Sequence, residues 1–180
     1  MRYLLILALT ILVSAEAWAA PYWLVNGGSN GTADKSSMGI EVGGTRAIAN
    51  RYPLSAELYL NFDFDTVPSE IKFNYNKFHE PYLTREEKDG PEIGYLLKSG
   101  LNLDDWVKNL TLQVGVGFAL QSEIMVATGV VSGSQWQQGD RGTDLYPVGY
   151  GGLRYRLENI CLSAGYNNRR GAVIGVGSSW

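Results

Sequence analysis

One stretch of the chain alternates strictly between large apolar and small or polar side chains. From Leu110 to Leu120 the even positions are Leu, Leu, Val, Val, Phe and Leu, while the odd positions are Thr, Gln, Gly, Gly and Ala. A period of two residues is typical of a β-strand, because successive side chains of a strand point to opposite faces of the sheet. The stretch therefore predicts a strand with one apolar face, which either a soluble core or a lipid bilayer would cover.

The same alternation recurs along the chain and predicts eight strands. Between Tyr150 and Leu153 the large side chains change parity, which predicts a β-bulge at Gly151 and Gly152. The predicted strands cover residues 22–28, 37–47, 54–65, 91–103, 109–122, 144–157, 159–167 and 171–180.

The connections between these strands alternate in length. The second, fourth and sixth are brief, whereas the third and fifth, 66–90 and 123–143, are long. Membrane barrels have this pattern, with short turns on the side of the termini and longer loops on the other side. We therefore expect an all-β fold, a closed antiparallel eight-stranded up-and-down transmembrane β-barrel. Loop 123–143 is expected to extend its hairpin, with contact of Trp136 to a sugar or lipid as the alternative.

The N-terminal residues have the pattern of an export signal. Arg2 precedes an almost purely apolar run, residues 4–13, and Ala17-Trp18-Ala19 has the small-x-small pattern that a signal peptidase cleaves. The run is about half of the ~20 residues that a membrane-spanning helix needs. We therefore expect residues 1–19 to be a cleaved signal peptide and residues 20–180 to form the barrel.

The chain ends on an aromatic residue, Trp180, after an alternating segment. An aromatic ring is favoured at the lipid–water interface, so this pattern indicates a terminal membrane strand. Trp180 is expected to act as a C-terminal assembly signal for the barrel-assembly machinery. The side chains expected at the two membrane interfaces are Trp23, Tyr146, Tyr155 and Trp180.

Composition excludes several classes of function. The net charge is −3 with no basic block, so nucleic-acid binding is not expected. Cys161 is the only cysteine and is expected to point inward as a small filler, without a disulfide. His79 is the only histidine, so a histidine-based metal site is not expected. No catalytic residue, metal or cofactor is assigned.

Charged residues fall on the small or polar face of several predicted strands. Buried charges must pair, so Arg154 and Arg156 are expected to face carboxylates inside the barrel, either as a plug of ion pairs or as a gate. The predicted interior charge network consists of Glu41, Glu57, Asp63, Lys98, Arg154 and Arg156.

With its signal peptide, strand count and terminal aromatic, the chain resembles the small eight-stranded outer-membrane barrels of Gram-negative bacteria. Ser178 departs from their pattern, because a larger apolar residue usually occupies that outward position. The resemblance implies a monomer in the bacterial outer membrane, with membrane lipids, lipopolysaccharide and the barrel-assembly machinery as partners. It implies a structural or interaction role. A narrow gated pore would be a further function of the same barrel.

Two other functions stay open. The last four strands are similar in order to the lipid A deacylases, whose His-x-Ser-Asn motif falls here on Gly165-Tyr166-Asn167-Asn168. Both the histidine and the serine are missing, so that activity is not expected; only a loop site at His79 would allow a lipid A acyl hydrolase or acyltransferase. The second alternative is a soluble secreted β-barrel that binds a small apolar ligand, in which the apolar face would point inward.

Overall fold

The computed structural model describes residues 20–29, 31, 36–48, 52–62 and 81–180. Each strand in this part of the chain pairs antiparallel with its neighbours in sequence, and the first pairs with the eighth to close a barrel. The predicted fold class and strand number are therefore confirmed. The strands are β1 (Pro21–Ser29), β2 (Ser36–Ile48), β3 (Tyr52–Phe62), β4 (Tyr82–Asn102), β5 (Leu110–Gly129), β6 (Gln135–Leu157), β7 (Ile160–Asn167) and β8 (Gly171–Ser179).

Among the described residues, no helix is long and apolar enough to cross a membrane.

Three strands are longer than the alternation predicts. Residues 82–90, 123–129 and 135–143 belong to β4, β5 and β6 rather than to loops. The pairing is interrupted once in each hairpin, between Asp89 and Ile93 and between Glu123 and Met125. Such irregularities shift the side-chain parity, so the simple alternation ends there although the strands continue. The expected hairpin extension is confirmed.

The two ends of the barrel differ. Pro21, Ser179, the β4–β5 turn and the two-residue turn Glu158-Asn159 lie at one end, which we call the terminal end. The connections after β1, β3, β5 and β7 leave from the opposite end, the loop end.

Large apolar side chains point out of the barrel. On β5, Val114 is 60% and Val116 is 73% exposed, whereas Thr111 and Gln113 are buried inside. A soluble ligand-binding barrel would have the reverse arrangement. The exposed outward residues include Trp23, Val25, Met38, Ile40, Leu58, Leu60, Ile93, Leu97, Leu101, Leu112, Val114, Val116, Leu153, Tyr155, Leu157, Ile160, Leu162, Tyr166, Ile174 and Val176.

Strand β6 corrects one prediction. Its register is continuous through Gly151 and Gly152, so the predicted bulge is absent. Tyr146 and Tyr150 point inward and pack in the apolar cluster of the barrel interior, so Tyr146 is not an interfacial side chain. A methyl group at Gly152 would lie 2.3 Å from the Tyr150 hydroxyl oxygen, so glycine provides the space for this ring. The parity of the large residues therefore gave the wrong orientation here, because these tyrosine rings fill the barrel interior instead of facing outward.

Candidate functional site

The barrel interior holds a network of buried charges at mid-height. Glu41 on β2 and Glu57 on β3 are directly opposite in register, and both side chains are buried. Like charges in that position repel each other. Lys98 on β4 lies between them, with Nζ 2.6 Å from Glu41 Oε2 and 2.5 Å from Glu57 Oε2. One ammonium group therefore joins two carboxylates that would otherwise destabilise the barrel.

The Glu41 carboxylate is also saturated with hydrogen bonds. Its Oε1 accepts from the Tyr22 hydroxyl at 2.7 Å and from Ser55 Oγ at 2.7 Å. Gln113 Nε2 donates to the same oxygen at 3.4 Å. A buried charge persists when its partners replace the water it has lost, and these contacts fulfil that condition.

Arg170 completes the mid-height network from the β7–β8 connection. Its Nη1 pairs with Glu57, its Nε donates to Ser37 Oγ at 2.7 Å, and its Nη2 donates to Asn26 Oδ1 at 2.7 Å. The side chain is fully buried. The guanidinium thus joins β1, β2 and β3, although the sequence places Arg170 in a three-residue external loop.

Asn167 explains how this loop turns inward. Its Oδ1 accepts hydrogen bonds from the backbone N–H of Arg169 at 2.8 Å and of Arg170 at 3.2 Å. Asparagine side chains commonly hold a turn in this way. The turn directs both arginine side chains into the barrel.

A second ion pair lies nearer the loop end. Arg169 Nε donates to Glu92 Oε2 at 2.9 Å, and Arg169 Nη2 contacts the same oxygen. Asn61 Nδ2 donates to the other Glu92 oxygen at 2.5 Å. Glu92 has the parity of Lys98 on β4, so the alternation could have indicated it; the two loop arginines carry no such signal.

Tyrosine rings line the interior and contact its cations. A ring face attracts a cation, most strongly where water is excluded. The contacts, measured to the ring centroid, are Lys98 over Tyr150 at 4.0 Å, Arg154 over Tyr22 at 4.0 Å, Arg169 over Tyr146 at 4.1 Å and Arg170 over Tyr59 at 4.7 Å.

The predicted partners of Arg154 and Arg156 differ from those in the structure. Arg154 is inside the barrel and buried, and its side-chain hydrogen bond within the described part of the chain is a long 3.4 Å contact from Nη2 to Thr111 Oγ1. Arg156 is half-buried at the terminal end. Neither guanidinium lies within 4.0 Å of a carboxylate among the residues that the structure describes. Glu41 and Glu57 pair with Lys98 and Arg170 instead, because the stagger of the strands places those cations beside them.

The remaining predicted residues lie in separate parts of the chain. Asp63 and His79 lie outside the described residues. Trp180 is exposed, and its backbone N–H donates to the Pro21 carbonyl at 3.2 Å. Cys161 is buried and packs with Tyr22 and Leu24. Within the described ranges, no three His, Cys, Asp or Glu side chains are placed to hold a metal ion.

Comparison with known proteins supports the fold. The chain is similar to the N-terminal β-barrel domain of Pseudomonas aeruginosa OprF, with 16% identity, 91% of this chain and 98% of that chain covered, and a TM-score of 0.52. The attachment invasion locus protein Ail of Yersinia pestis, solved with the heparin analogue sucrose octasulfate, is 9% identical over 90% of this chain and 99% of its own, with a TM-score of 0.46. Neisserial surface protein A is 14% identical over 89% and 91%, with a TM-score of 0.40.

No protein-family model matches the chain. No curated protein is significantly similar to it in sequence.

Proposed function

We propose that this chain is an outer-membrane barrel with a structural or interaction role, whose interior is closed at mid-height by ion pairs. The observation that carries the proposal is the direction of the two strand faces. Large apolar side chains cover the outside, while charged and polar side chains are buried inside. This is the arrangement of a barrel whose solvent is lipid.

The outward apolar side chains would be costly to expose to water. Full exposure of one large apolar side chain to water costs roughly 1.5–3 kcal/mol relative to burial. At least twenty such residues are exposed on the outside of the described part of this barrel. A hydrocarbon environment removes that cost, and in the described part of the chain each of the eight strands pairs with two neighbours, as strands that cross lipid do.

The remaining parts of the proposal come from the sequence. Residues 1–19 would direct export and be removed, and the exposed ring of Trp180 would serve recognition by the barrel-assembly machinery. Membrane lipids and lipopolysaccharide are the proposed partners of the outer surface, and the barrel is proposed to act as a monomer.

A substitution on the outer face separates a membrane barrel from a soluble one. Arg at the bilayer midplane on the lipid face costs about 2–4 kcal/mol. Val116→Arg should therefore impair assembly and lower the free energy of unfolding by about that amount, measured by urea titration in lipid vesicles. Val131→Arg, at the exposed tip of the β5–β6 hairpin, is the control and should be neutral.

Fractionation gives the complementary result. The full chain should enter the membrane fraction, need detergent for extraction, and migrate differently on gels before and after heating. A chain that is soluble without detergent, or a Val116→Arg variant as stable as the Val131→Arg control, would contradict the proposal.

A narrow gated pore is the second candidate. The observation that favours it is the position of Lys98 between two carboxylates, because a cation with two partners has alternative pairings. The pore would open only when these contacts break. Planar-bilayer recordings test it, and rare brief current steps in the wild type would support it.

We propose that the chain is not an enzyme. The buried carboxylates described above are held in ion pairs, and the single histidine is the only side chain with an ordinary pKa suited to a general base at neutral pH. Incubation of the folded protein with lipopolysaccharide, followed by mass spectrometry of lipid A, should show unchanged acyl chains. Loss or gain of an acyl chain that disappears in His79→Ala would overturn this part of the proposal.

A further inference from the structure

The terminal end of the barrel contains an open polar pocket. Its walls include Asp104 and Asn109 of the β4–β5 turn together with Arg154 and Arg156 of β6. The backbone N–H of Arg156 donates to the Asn109 carbonyl at 3.1 Å, which fixes the strand against the turn. Two guanidinium groups therefore face one small polar space.

Arg154 is one of the side chains that line this pocket. The side chain is 2% exposed, and none of the described residues accepts a hydrogen bond from its Nη1. Its Nη2 donates to Thr111 Oγ1 at 3.4 Å, and the Thr111 hydroxyl donates to Asn102 Oδ1 at 2.9 Å. Asn102 Nδ2 in turn donates to the Thr45 carbonyl at 3.0 Å. This chain of contacts orients the guanidinium without neutralising it.

Among the described residues, the buried ion pairs do not include Arg154. Three buried carboxylates pair with three cations, as described above, and Arg154 is not among them. Asp104 lines the pocket, but its Oδ1 accepts the backbone N–H of Asn109 at 2.8 Å, and no ion pair within 4.0 Å joins it to Arg154 or Arg156. An unpaired buried charge is costly, so an external anion would stabilise this end of the barrel.

We infer that this pocket binds a small oxyanion of the phosphate class, held by Arg154 and Arg156. The planar guanidinium presents paired donors that match phosphate and carboxylate oxygens. The buried Arg154 guanidinium and the half-buried Arg156 in the pocket wall supply the positive charge that an oxyanion requires. The phosphate group belongs either to a soluble anion or to the headgroup of a phospholipid at the rim of the barrel.

The first experiment titrates inorganic phosphate into the folded full chain in dodecyl maltoside micelles, at constant ionic strength with chloride as the reference anion. The nitrogen and proton resonances of the arginine Nε–H groups are followed by NMR. The Arg154 resonance should shift and saturate in the millimolar range. The resonance of Arg85, which is exposed and paired with Glu87, should not move.

Variants then assign the binding. Arg154→Gln should lower the phosphate affinity at least about tenfold, because a hydrogen bond to a charged group is lost. Arg85→Gln is the matched control and should leave the affinity unchanged. Asp104→Asn should raise the affinity about threefold, since one negative charge leaves the pocket while its hydrogen-bond acceptor stays.

A heat-modifiable gel shift verifies that each variant is folded. Should Arg154→Gln not fold, Arg156→Gln is the second variant, and its affinity should fall about threefold or more. Equal phosphate affinity in the wild type and in the folded arginine variants would overturn the inference.

Phosphatidylglycerol bicelles separate the two sources of the phosphate. An Arg154 resonance that is already shifted in bicelles and no longer responds to inorganic phosphate identifies the lipid headgroup as the occupant. A resonance that moves only on phosphate addition identifies a soluble anion. An Arg154 resonance that stays unchanged in micelles and bicelles alike would contradict an anion site.

Discussion

The middle of the barrel and its terminal end differ in how their buried charges are paired. At mid-height Glu41, Glu57, Lys98 and Arg170 have at most 2% of their surface exposed, and each has an ion-pair partner. At the terminal end Arg154 is equally buried but lies over a tyrosine ring, with no carboxylate partner among the described residues. In the first arrangement each of these charges is paired, and in the second a buried charge has no ion-pair partner among the described residues.

The difference follows from strand register. Glu41 and Glu57 are opposite each other on neighbouring strands, so a cation between them is required. Arg154 is opposite Thr111 on one side and Ser163 on the other, so its neighbours supply hydroxyl groups rather than charge. The residues on the two adjacent strands therefore decide whether a buried charge in this barrel has an ion-pair partner.

The largest expected effect comes from removal of the shared cation. Lys98→Met keeps most of the side-chain volume but leaves two buried carboxylates facing each other. The free energy of unfolding, from urea titration in vesicles, should fall by about 3–5 kcal/mol, as when one partner of a buried ion pair is removed. Lys108→Met, in the exposed β4–β5 turn, is the control and should change stability little. Equal stability of the two variants would break the distinction between the regions.

A glycine tests how tightly the mid-height rings are held. A methyl group at Gly94 would lie 2.0 Å from Tyr59 Cζ, and the Tyr59 ring lies under Arg170. Gly94→Ala should therefore cost about 1–3 kcal/mol through overpacking. Gly151→Ala, where a methyl group would meet open space, should stay within about 0.5 kcal/mol of the wild type. Thermal or urea unfolding of the pair provides the measurement, and equal costs would mean that the interior is loosely packed.

The pair nearer the loop end should show energetic coupling. Glu92→Gln and Arg169→Gln each leave the other partner without its charge, so the double variant should cost less than the sum of the two single variants. A coupling energy of about 0.5–3 kcal/mol is expected from a double-mutant cycle. Strictly additive costs would mean that the Glu92–Arg169 contact contributes nothing to stability.

The sequence predicted the barrel well because period-two alternation reports which face of a strand is covered. It predicted Glu41, Glu57 and Lys98 on the inward face, where the structure places them. It could not predict Arg169 and Arg170, because side-chain parity does not extend into a turn whose direction depends on Asn167. Parity also failed at Tyr146, since a large side chain can fill the interior as well as face lipid.

The smallest effect is expected at the terminal end. Arg154→Gln removes a contact with the Tyr22 ring but also removes an unpaired charge, and these effects oppose each other. In phosphate-free buffer its free energy of unfolding should therefore lie within about 1 kcal/mol of the wild type. A loss as large as that of Lys98→Met would show that Arg154 belongs to the structural network after all.

Single-channel current recordings in planar bilayers are the most direct test of the central claim. That claim is that ion pairs close a membrane-spanning barrel at mid-height. The wild type and Arg154→Gln should insert without a steady current, because the contacts around Lys98 remain intact in both. Lys98→Ala should produce defined current steps, since Glu41 and Glu57 would lose the cation they share and repel each other inside the barrel. Steady current through the wild type, or steps of equal size from Arg154→Gln and Lys98→Ala, would contradict the account.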